Sequence, residues 1–202
     1  VVMQQAIMMA NQLENGEQKA AAIKQIVNTL EQDGIGHFTQ LQFDLAALYQ
    51  EGRHLPKDAT QAAKWYRKAA AQGHAPAQIN LAMMYIGGDG VKANPVEAHR
   101  WFALAADQGD AEGQVALGMM FALGQGIEAD LVQAHKWVTL SSKSGNENAV
   151  TALEQLTGKL SPEQLTASAK LVKEWEDRQP KPASAPAEPE AKTPEPPATA
   201  GK

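Results

Sequence analysis

The chain has 202 residues and contains no cysteine, which excludes disulfide bonds, thiolate zinc sites and a cysteine nucleophile. Basic residues are also scarce, with 18 lysines and arginines against 23 aspartates and glutamates and a net charge of −5. We therefore expect no nucleic-acid partner, because binding to a phosphate backbone requires an excess of positive charge.

Long hydrophobic runs are missing as well. No apolar stretch approaches the roughly 20 residues that a helix needs to cross a bilayer, so we expect no membrane span. The sequence starts at Val1 rather than at a methionine, and we therefore expect a truncated or processed chain. Removal of a signal peptide would explain such a start.

What the chain does contain is an internal repeat with a period of 36 residues. Residues at the same position of successive units agree in size and chemistry. The matching sets are Leu45, Leu81, Leu117 and Leu153; Tyr49, Tyr85 and Phe121; Gly52, Gly88 and Gly124; and Trp65, Trp101 and Trp137. Three full units cover residues 41–76, 77–112 and 113–148, without insertions. Chance does not keep large and small residues in phase over such a length.

Each unit is predicted to form two helices. In the second unit, Ala77, Leu81 and Tyr85 recur at helical spacing, and the glycines that follow end the first helix. The stretch Asn94–Glu97 then combines a capping residue, a proline and an acid, which is typical of a helix start. One helical hairpin cannot bury its own apolar face, whereas stacked copies can. The pattern therefore predicts an all-α fold, a right-handed superhelical solenoid of antiparallel helix hairpins.

Both ends of the array are predicted to differ from the repeats. Residues 1–40 are expected to form a degenerate leading hairpin that caps the stack. Residues 149–178 are expected to hold a partial repeat and a C-terminal capping helix that starts at Ser161, with Leu165, Ala169, Val172 and Trp175 near one side. Residues 179–202 are rich in proline, alanine and glutamate, a composition that predicts a disordered tail.

The repeat resembles the Sel-like repeat (SLR) family, which is related to the tetratricopeptide repeats. The matching motifs are A-x-x-x-L-[AG]-x-x-[YF]-x-x-G at 77–88, G-[VI]-x-x-[DN] at 90–94 and 126–130, and A-x-x-W-x-x-x-[AS]-[AS]-x-x-G at 98–109. At 113–124 the first motif starts with Gly113 in place of alanine. The resemblance covers about 41–157 and implies an adaptor that binds a peptide or protein, as many members do in bacterial envelopes.

Residues that could carry chemistry have structural explanations. His99 and His135 share a repeat position, but equivalent residues of stacked helices lie about 10 Å apart, too far to share one metal. His99 is expected on the solvated side of its helix. The pairs Met83-Met84 and Met119-Met120 also repeat, which favours packing over a copper site. The glycines at 87–90 lack the pattern of a phosphate loop. We therefore predict no catalytic residue, no metal and no cofactor.

The first helix of each unit is expected to line the concave side of the solenoid. A second stripe on these helices is largely apolar, and methionine adapts to varied partners. Its members are Phe43, Ala47 and Gln50 in the first unit, Ile79, Met83 and Ile86 in the second, and Val115, Met119 and Ala122 in the third. Gln78 and Asn80 are polar candidates for tuning specificity. The same stripe is also consistent with packing against neighbouring helices, and the sequence does not decide between the two.

The leading hypothesis is a noncatalytic adaptor that binds a protein or peptide partner through the concave side, in a bacterial periplasm or after secretion. A cytoplasmic location is an alternative. A second hypothesis is a structural protein of the cell envelope that associates with peptidoglycan. A third, hydrolase activity, is implied only by some cysteine-rich relatives, and this chain has no cysteine.

Overall fold

The structure, a computed structural model, describes residues 39–52 and 55–179 together with isolated positions between 12 and 28. The two continuous ranges fold into helices and contain no strand. The helices are α1 (Thr39–Glu51), α2 (Ala59–Ala71), α3 (Ala75–Gly87), α4 (Pro95–Asp107), α5 (Ala111–Leu123), α6 (Leu131–Lys143), α7 (Glu147–Thr157) and α8 (Pro162–Arg178). Each helix packs against the next up to α7, and α8 returns to pack on α6. The all-α solenoid of helix hairpins predicted from the sequence is confirmed.

The second helix of each unit starts at the capping residue expected from the repeat. The side chains of Asp58, Asn94 and Asp130 accept hydrogen bonds from backbone N–H groups in the first turns of α2, α4 and α6. These bonds satisfy donors that a helix start otherwise leaves without a partner. The recurrence of the cap every 36 residues therefore sets where each second helix begins.

The core is a continuous column of leucines, tryptophans and small residues. Trp65, Leu81 and Leu117 are almost completely buried. The small residues allow the helices to approach closely, since a Cβ placed on Gly118 would lie 2.7 Å from the side chain of Val138. Large side chains thus fill the core, and small ones such as Gly118 let the two helices of one hairpin pack closely.

Buried glutamines form hydrogen bonds both within a unit and to the preceding unit. The amide nitrogen of Gln108 donates to Gln78 Oε1 at 2.8 Å, and the amide nitrogen of Gln78 donates to the carbonyl of Ala70 in the preceding unit at 3.0 Å. The first unit has the same pair, in which Gln72 donates to Gln42 Oε1 at 2.8 Å. A buried amide placed in this way stabilises the contact between units because its polar atoms have partners.

The loop between the two helices of one unit rests on the preceding unit. Gly90, in the loop after α3, lies so close to α2 that a Cβ there would be 2.1 Å from the carbonyl oxygen of Ala59. Gly126, in the loop after α5, lies similarly close to the start of α4. A Cβ on Gly126 would be 2.5 Å from the carbonyl carbon of Pro95. Both glycines have positive φ, 66° and 74°. We use the term glycine seat for each close contact between a loop glycine and the first two backbone residues of the second helix in the preceding unit.

The C-terminal helix α8 closes the described part of the solenoid by packing on α6. The ring of Trp175 meets that of Trp137 edge-on with centroids 6.3 Å apart, and Ser168 Oγ lies 2.9 Å from His135 Nδ1. Val172 and Ser168 are buried in this contact, and Ala169 is exposed. Ala169 therefore lies at the solvent edge of the side of α8 that packs on α6.

The two ends of the predicted domain scheme are only partly described. The isolated positions before residue 39 are helical, and Ile26 packs into the core of the first unit. The rest of the leading hairpin predicted at 1–40 and the tail predicted at 179–202, apart from Gln179, lie outside the described residues. Both stay predictions.

Candidate partner-binding surface

The first helices α1, α3, α5 and α7 form one side of the solenoid, which we call the first-helix face. Two residues predicted to bind a partner there are well exposed, Met83 with 57% and Met119 with 41% of its surface accessible. Their neighbours in sequence, Met84 and Met120, are buried in the core. Each methionine pair therefore divides between a packing role and a surface role, and the surface member occupies the same position in both units.

The aliphatic members of the stripe lie between core and solvent. Ile79 and Ile86 are half-buried and pack against the central core, and Val115 and Ala122 are half-buried against the core of the third and fourth units. The packing interpretation of this stripe therefore holds for these four residues, and partner binding stays a prediction. These side chains support the helices from within and leave an apolar floor beside Met83 and Met119.

In the first unit the predicted residues engage one another and the neighbouring helices. Phe43 stacks on the rings of Tyr66 and His74, with centroids 5.6 Å and 4.8 Å away, and the hydroxyl of Tyr66 donates to Gln50 Oε1 at 2.7 Å. Burial raises the pKa of Tyr66 above its usual value, and a hydrogen bond with Asn80 offsets part of this rise. Ala47 is half-buried. This end of the first-helix face is therefore a closed aromatic cluster.

Gln78 does not lie on the surface. It is 3% exposed and both ends of its amide are used, one by Gln108 and the other by Ala70. The proposal that it tunes partner specificity is wrong, because a partner cannot reach the amide without breaking the contact between units. Asn80, next to it on α3, is half-buried and interacts with Tyr66.

A cleft of about 520 Å³ opens between α5 and α7 at the other end of this face. Three of the predicted residues line it: Val115, Met119 and Ala122. The opposite wall comes from α7 and is mixed, with Asn148, Thr151 and Gln155 beside Ala152 and Leu156. A cleft with an apolar wall and a mixed wall suits an amphipathic segment, which can bury one side and form hydrogen bonds on the other.

The other residues that line the cleft were not predicted from the sequence, and two of them stand out. Leu123, at the end of α5, is 61% exposed, the highest value for any large apolar residue among those described. Lys159, just after α7, supplies the only charged side chain among the residues that line the cleft. Leu123 has glycine at the equivalent position of the second unit, and residues after 149 were interpreted only as a cap. The repeat pattern therefore contained no signal for either.

The histidines are less exposed than expected. His99 is half-buried with its ring edge-on to Phe121, and its Nε2 has no hydrogen-bond partner in the part of the chain that the structure describes. The expected solvated position of His99 is therefore wrong. Burial lowers the pKa of both His99 and His135.

Within residues 39–52 and 55–179 and the isolated positions before them, no group of three or more His, Asp or Glu side chains is arranged to hold a metal ion. No helix in the same part of the chain is both long and apolar enough to cross a membrane.

Comparisons with known proteins agree with the observed architecture. The chain is similar to a Sel1 repeat protein from Oxalobacter formigenes, with 28% identity and a TM-score of 0.61 over 73% of this chain and 59% of the other. It is also similar to a protective antigen of uropathogenic Escherichia coli strains that displays an SLR fold. That match has 28% identity and a TM-score of 0.69 over 85% of this chain and 36% of the antigen. The chain thus spans less than two thirds of either protein, and no curated protein sequence matches it.

The Sel1 repeat model matches three consecutive segments, residues 39–74, 75–110 and 111–146, which together exceed half of the chain. Each segment starts two residues before the unit predicted from the sequence, and the period of 36 residues is the same. The helices, caps and glycine seats described above recur with that period. The chain therefore belongs to the Sel1 repeat family.

Proposed function

We propose that the chain is a noncatalytic adaptor that binds an amphipathic peptide segment of a partner protein along the first-helix face. The observation that carries the proposal is the row of exposed apolar side chains Met83, Met119 and Leu123, of which the last two line the cleft between α5 and α7. Sel1 repeat proteins are in general scaffolds for protein interactions. Exposed apolar residues beside a cleft are a common property of such surfaces.

The chemistry of the methionines supports this choice of surface. A methionine side chain is flexible and polarizable, so it can adapt to the shape of a bound segment. Met83 and Met119 expose this side chain at equivalent positions one unit apart. A segment that runs along the face would therefore meet an apolar contact at each step.

The test is a selection of binding peptides from a random-peptide phage library on the immobilised chain. We expect enriched clones that bind the chain but lose about ten-fold or more of their affinity for a Met83→Glu, Met119→Glu, Leu123→Glu variant, because carboxylates would face an apolar ligand surface. All three residues are exposed, so the substitutions are expected to leave the fold intact, which circular dichroism would check.

The control is Val96→Glu, Leu104→Glu, which places two glutamates on apolar residues of α4 that are exposed to a similar degree. Clones that bind this control as well as the original chain would support a site on the first-helix face. Equal loss in both variants would contradict it, as would clones that ignore both. A periplasmic location and an association with peptidoglycan stay predictions of the sequence.

A further inference from the structure

Glycine seats are filled at the starts of α2 and α4, the second helices of the first and second units. Gly90 occupies a seat formed by the backbone of Ala59 and Thr60, the first two residues of α2. Gly126 occupies the equivalent seat on Pro95 and Val96, the first two residues of α4. The same position at the start of α6 would be Leu131 and Val132.

The third unit presents this backbone in the same way as the other two. In each unit the N–H of the capping residue donates to a carbonyl of the first helix: Asp58 to Tyr49 at 2.9 Å, Asn94 to Tyr85 at 2.9 Å, and Asp130 to Phe121 at 3.0 Å. The cap and the helix start therefore have the same geometry in all three units. A seat exists at α6 because the local structure that forms it is present.

The chain does not fill this third seat with a glycine loop. Seven residues connect α3 to α4, and seven connect α5 to α6, but only the four residues 158–161 connect α7 to α8. The position one period after Gly126 is Pro162, which is already the first residue of α8. The loop that would carry the next glycine has been replaced by an early start of the capping helix.

An open cleft lies at this place. It has a volume of about 670 Å³ and is lined by the third-unit loop, the start of α6, Phe121 and Gln164 of α8. Among its walls, Leu131 and Val132 provide the seat itself, and Ile127 provides an apolar side. The cleft continues the row of contacts that joins the first unit to the second and the second to the third.

We propose that this cleft, the open seat, binds a glycine-containing turn of a partner protein. The occupied seats define the chemistry of the turn. Its glycine must adopt a positive φ, since both seated glycines do, and a side chain there would collide with the seat backbone. An aliphatic residue should follow, because Val91 after Gly90 packs against the core cluster shared by the first and second units.

The carboxylate of Glu128 at the edge of the open seat adds a requirement for the charge of the bound turn. Glu128 lines the open seat, is exposed, and has no ion-pair partner among residues 39–52 and 55–179. A basic residue after the aliphatic one would complement it. The turn that this surface recognises is therefore Gly, then Val or Ile, then Lys or Arg. The proposal does not depend on the first-helix face, since the two clefts take different ligands.

The probe is a cyclic peptide with the sequence of residues 86–96, which contains Gly90, Val91 and Lys92 in a loop. Titrated to about 1 mM into the full isotope-labelled chain, it should shift amide NMR signals centred on Ile127, Ala129 and Val132, which line the open seat and not the cleft between α5 and α7. The control peptide carries Gly90→Ala. We expect it to bind about ten-fold more weakly or not at all, because the added methyl group would overlap the seat backbone.

Several results would overturn the proposal: no shifted signals, equal affinity of the glycine and alanine peptides, or shifts confined to the cleft between α5 and α7. A chain with Val132→Glu, which blocks the seat with a charge, should lose binding of the glycine peptide. If that variant does not fold, the comparison of the glycine and alanine peptides on the original chain still tests the proposal. Loss of peptide binding to the first-helix face would leave these expectations unchanged.

Discussion

At the scale of single residues, the glutamine pairs show how one substitution leaves a buried atom without a partner. Gln42 and Gln78 each accept a hydrogen bond from a second glutamine, Gln72 or Gln108, in their own unit. In the third unit the second position is Ser144, and Gln114 Oε1 is buried with no partner in the described part of the chain. A buried acceptor without a donor costs free energy that the other two units do not lose.

We predict that Ser144→Gln stabilises the chain by about 1 kcal/mol, because the new amide can donate to Gln114 as Gln108 donates to Gln78. For a chain of this size, the melting temperature should rise by roughly 2–4 °C. Thermal and urea unfolding followed by circular dichroism would measure the change. The reciprocal variant Gln108→Ser should destabilise by about 1–2 kcal/mol, and a null effect of both changes would contradict the argument.

The buried histidines predict a dependence of stability on pH. Burial lowers the folded-state pKa of His99 and His135, so the unfolded chain, with histidine pKa values near 6.5, binds protons more readily. The stabilisation is therefore fully present above about pH 6.5 and is lost as the pH falls toward the folded-state values. We expect the free energy of unfolding to fall between about pH 7 and pH 5.

A His99→Gln variant isolates one of these contributions. His99 faces the ring of Phe121, and its Nε2 has no hydrogen-bond partner among the described residues. Replacing it with a group that does not titrate should reduce the slope of unfolding free energy against pH in this range. Urea titrations at several pH values would measure the slope, and an unchanged slope would exclude His99 as a source.

At the scale of elements, the glycine seats predict that replacing Gly126 destabilises the chain more than replacing Gly145, although both glycines have positive φ. Gly126 and Gly145 both have positive φ, but a Cβ on Gly126 would lie 2.5 Å from Pro95, whereas nothing lies within 4 Å of one on Gly145. We predict that Gly145→Ala costs about 1 kcal/mol from backbone strain alone. Gly126→Ala should cost at least about 2 kcal/mol, since the loop must also move away from α4.

Urea unfolding of the two variants would test this comparison, with the original chain as the reference. The difference between them measures the close approach separately from the backbone strain. Equal destabilisation would mean that the loop can shift at no cost, and the glycine seat would then not hold the units together.

Local sequence signals predicted the helices well because each signal acts over one turn. Asp58, Asn94 and Asp130 cap the helices that they precede, and α8 begins at Ser161 as predicted, with a capping box between Ser161 and Gln164. The pairing of distant polar groups was not predictable in this way. Gln78 looked like a surface residue because its partners lie 8 and 30 positions away.

The candidate surface was predicted in part for the same reason. Met83 and Met119 were identified by their repeat position, which describes α3 and α5 alone. The cleft beside Met119 also needs α7, whose contribution depends on how the shortened fourth unit meets the third. Such an irregular contact has no counterpart elsewhere in the repeat, so Gln155 and Lys159 were missed.

At the scale of the whole molecule, stability should behave as a sum over units and their contacts. We predict that deletion of residues 75–110, one whole segment, leaves a folded helical chain of lower stability, because the first and third units present equivalent surfaces to each other. Circular dichroism should retain a helical spectrum and a cooperative thermal transition. The control deletes residues 75–92, half a segment, and should lower the stability further, because α4 then lacks the helix with which it pairs.

The absence of insertions between the three segments has a consequence for how such a gene can change. Misaligned recombination between the stretches of DNA that encode segments 39–74, 75–110 and 111–146 would add or remove multiples of 36 codons. The reading frame and the angle between neighbouring hairpins would both survive the exchange. The resulting proteins would differ in their number of hairpins and keep the same capping helix. The length of the solenoid can therefore change by duplication of segments rather than by point mutation.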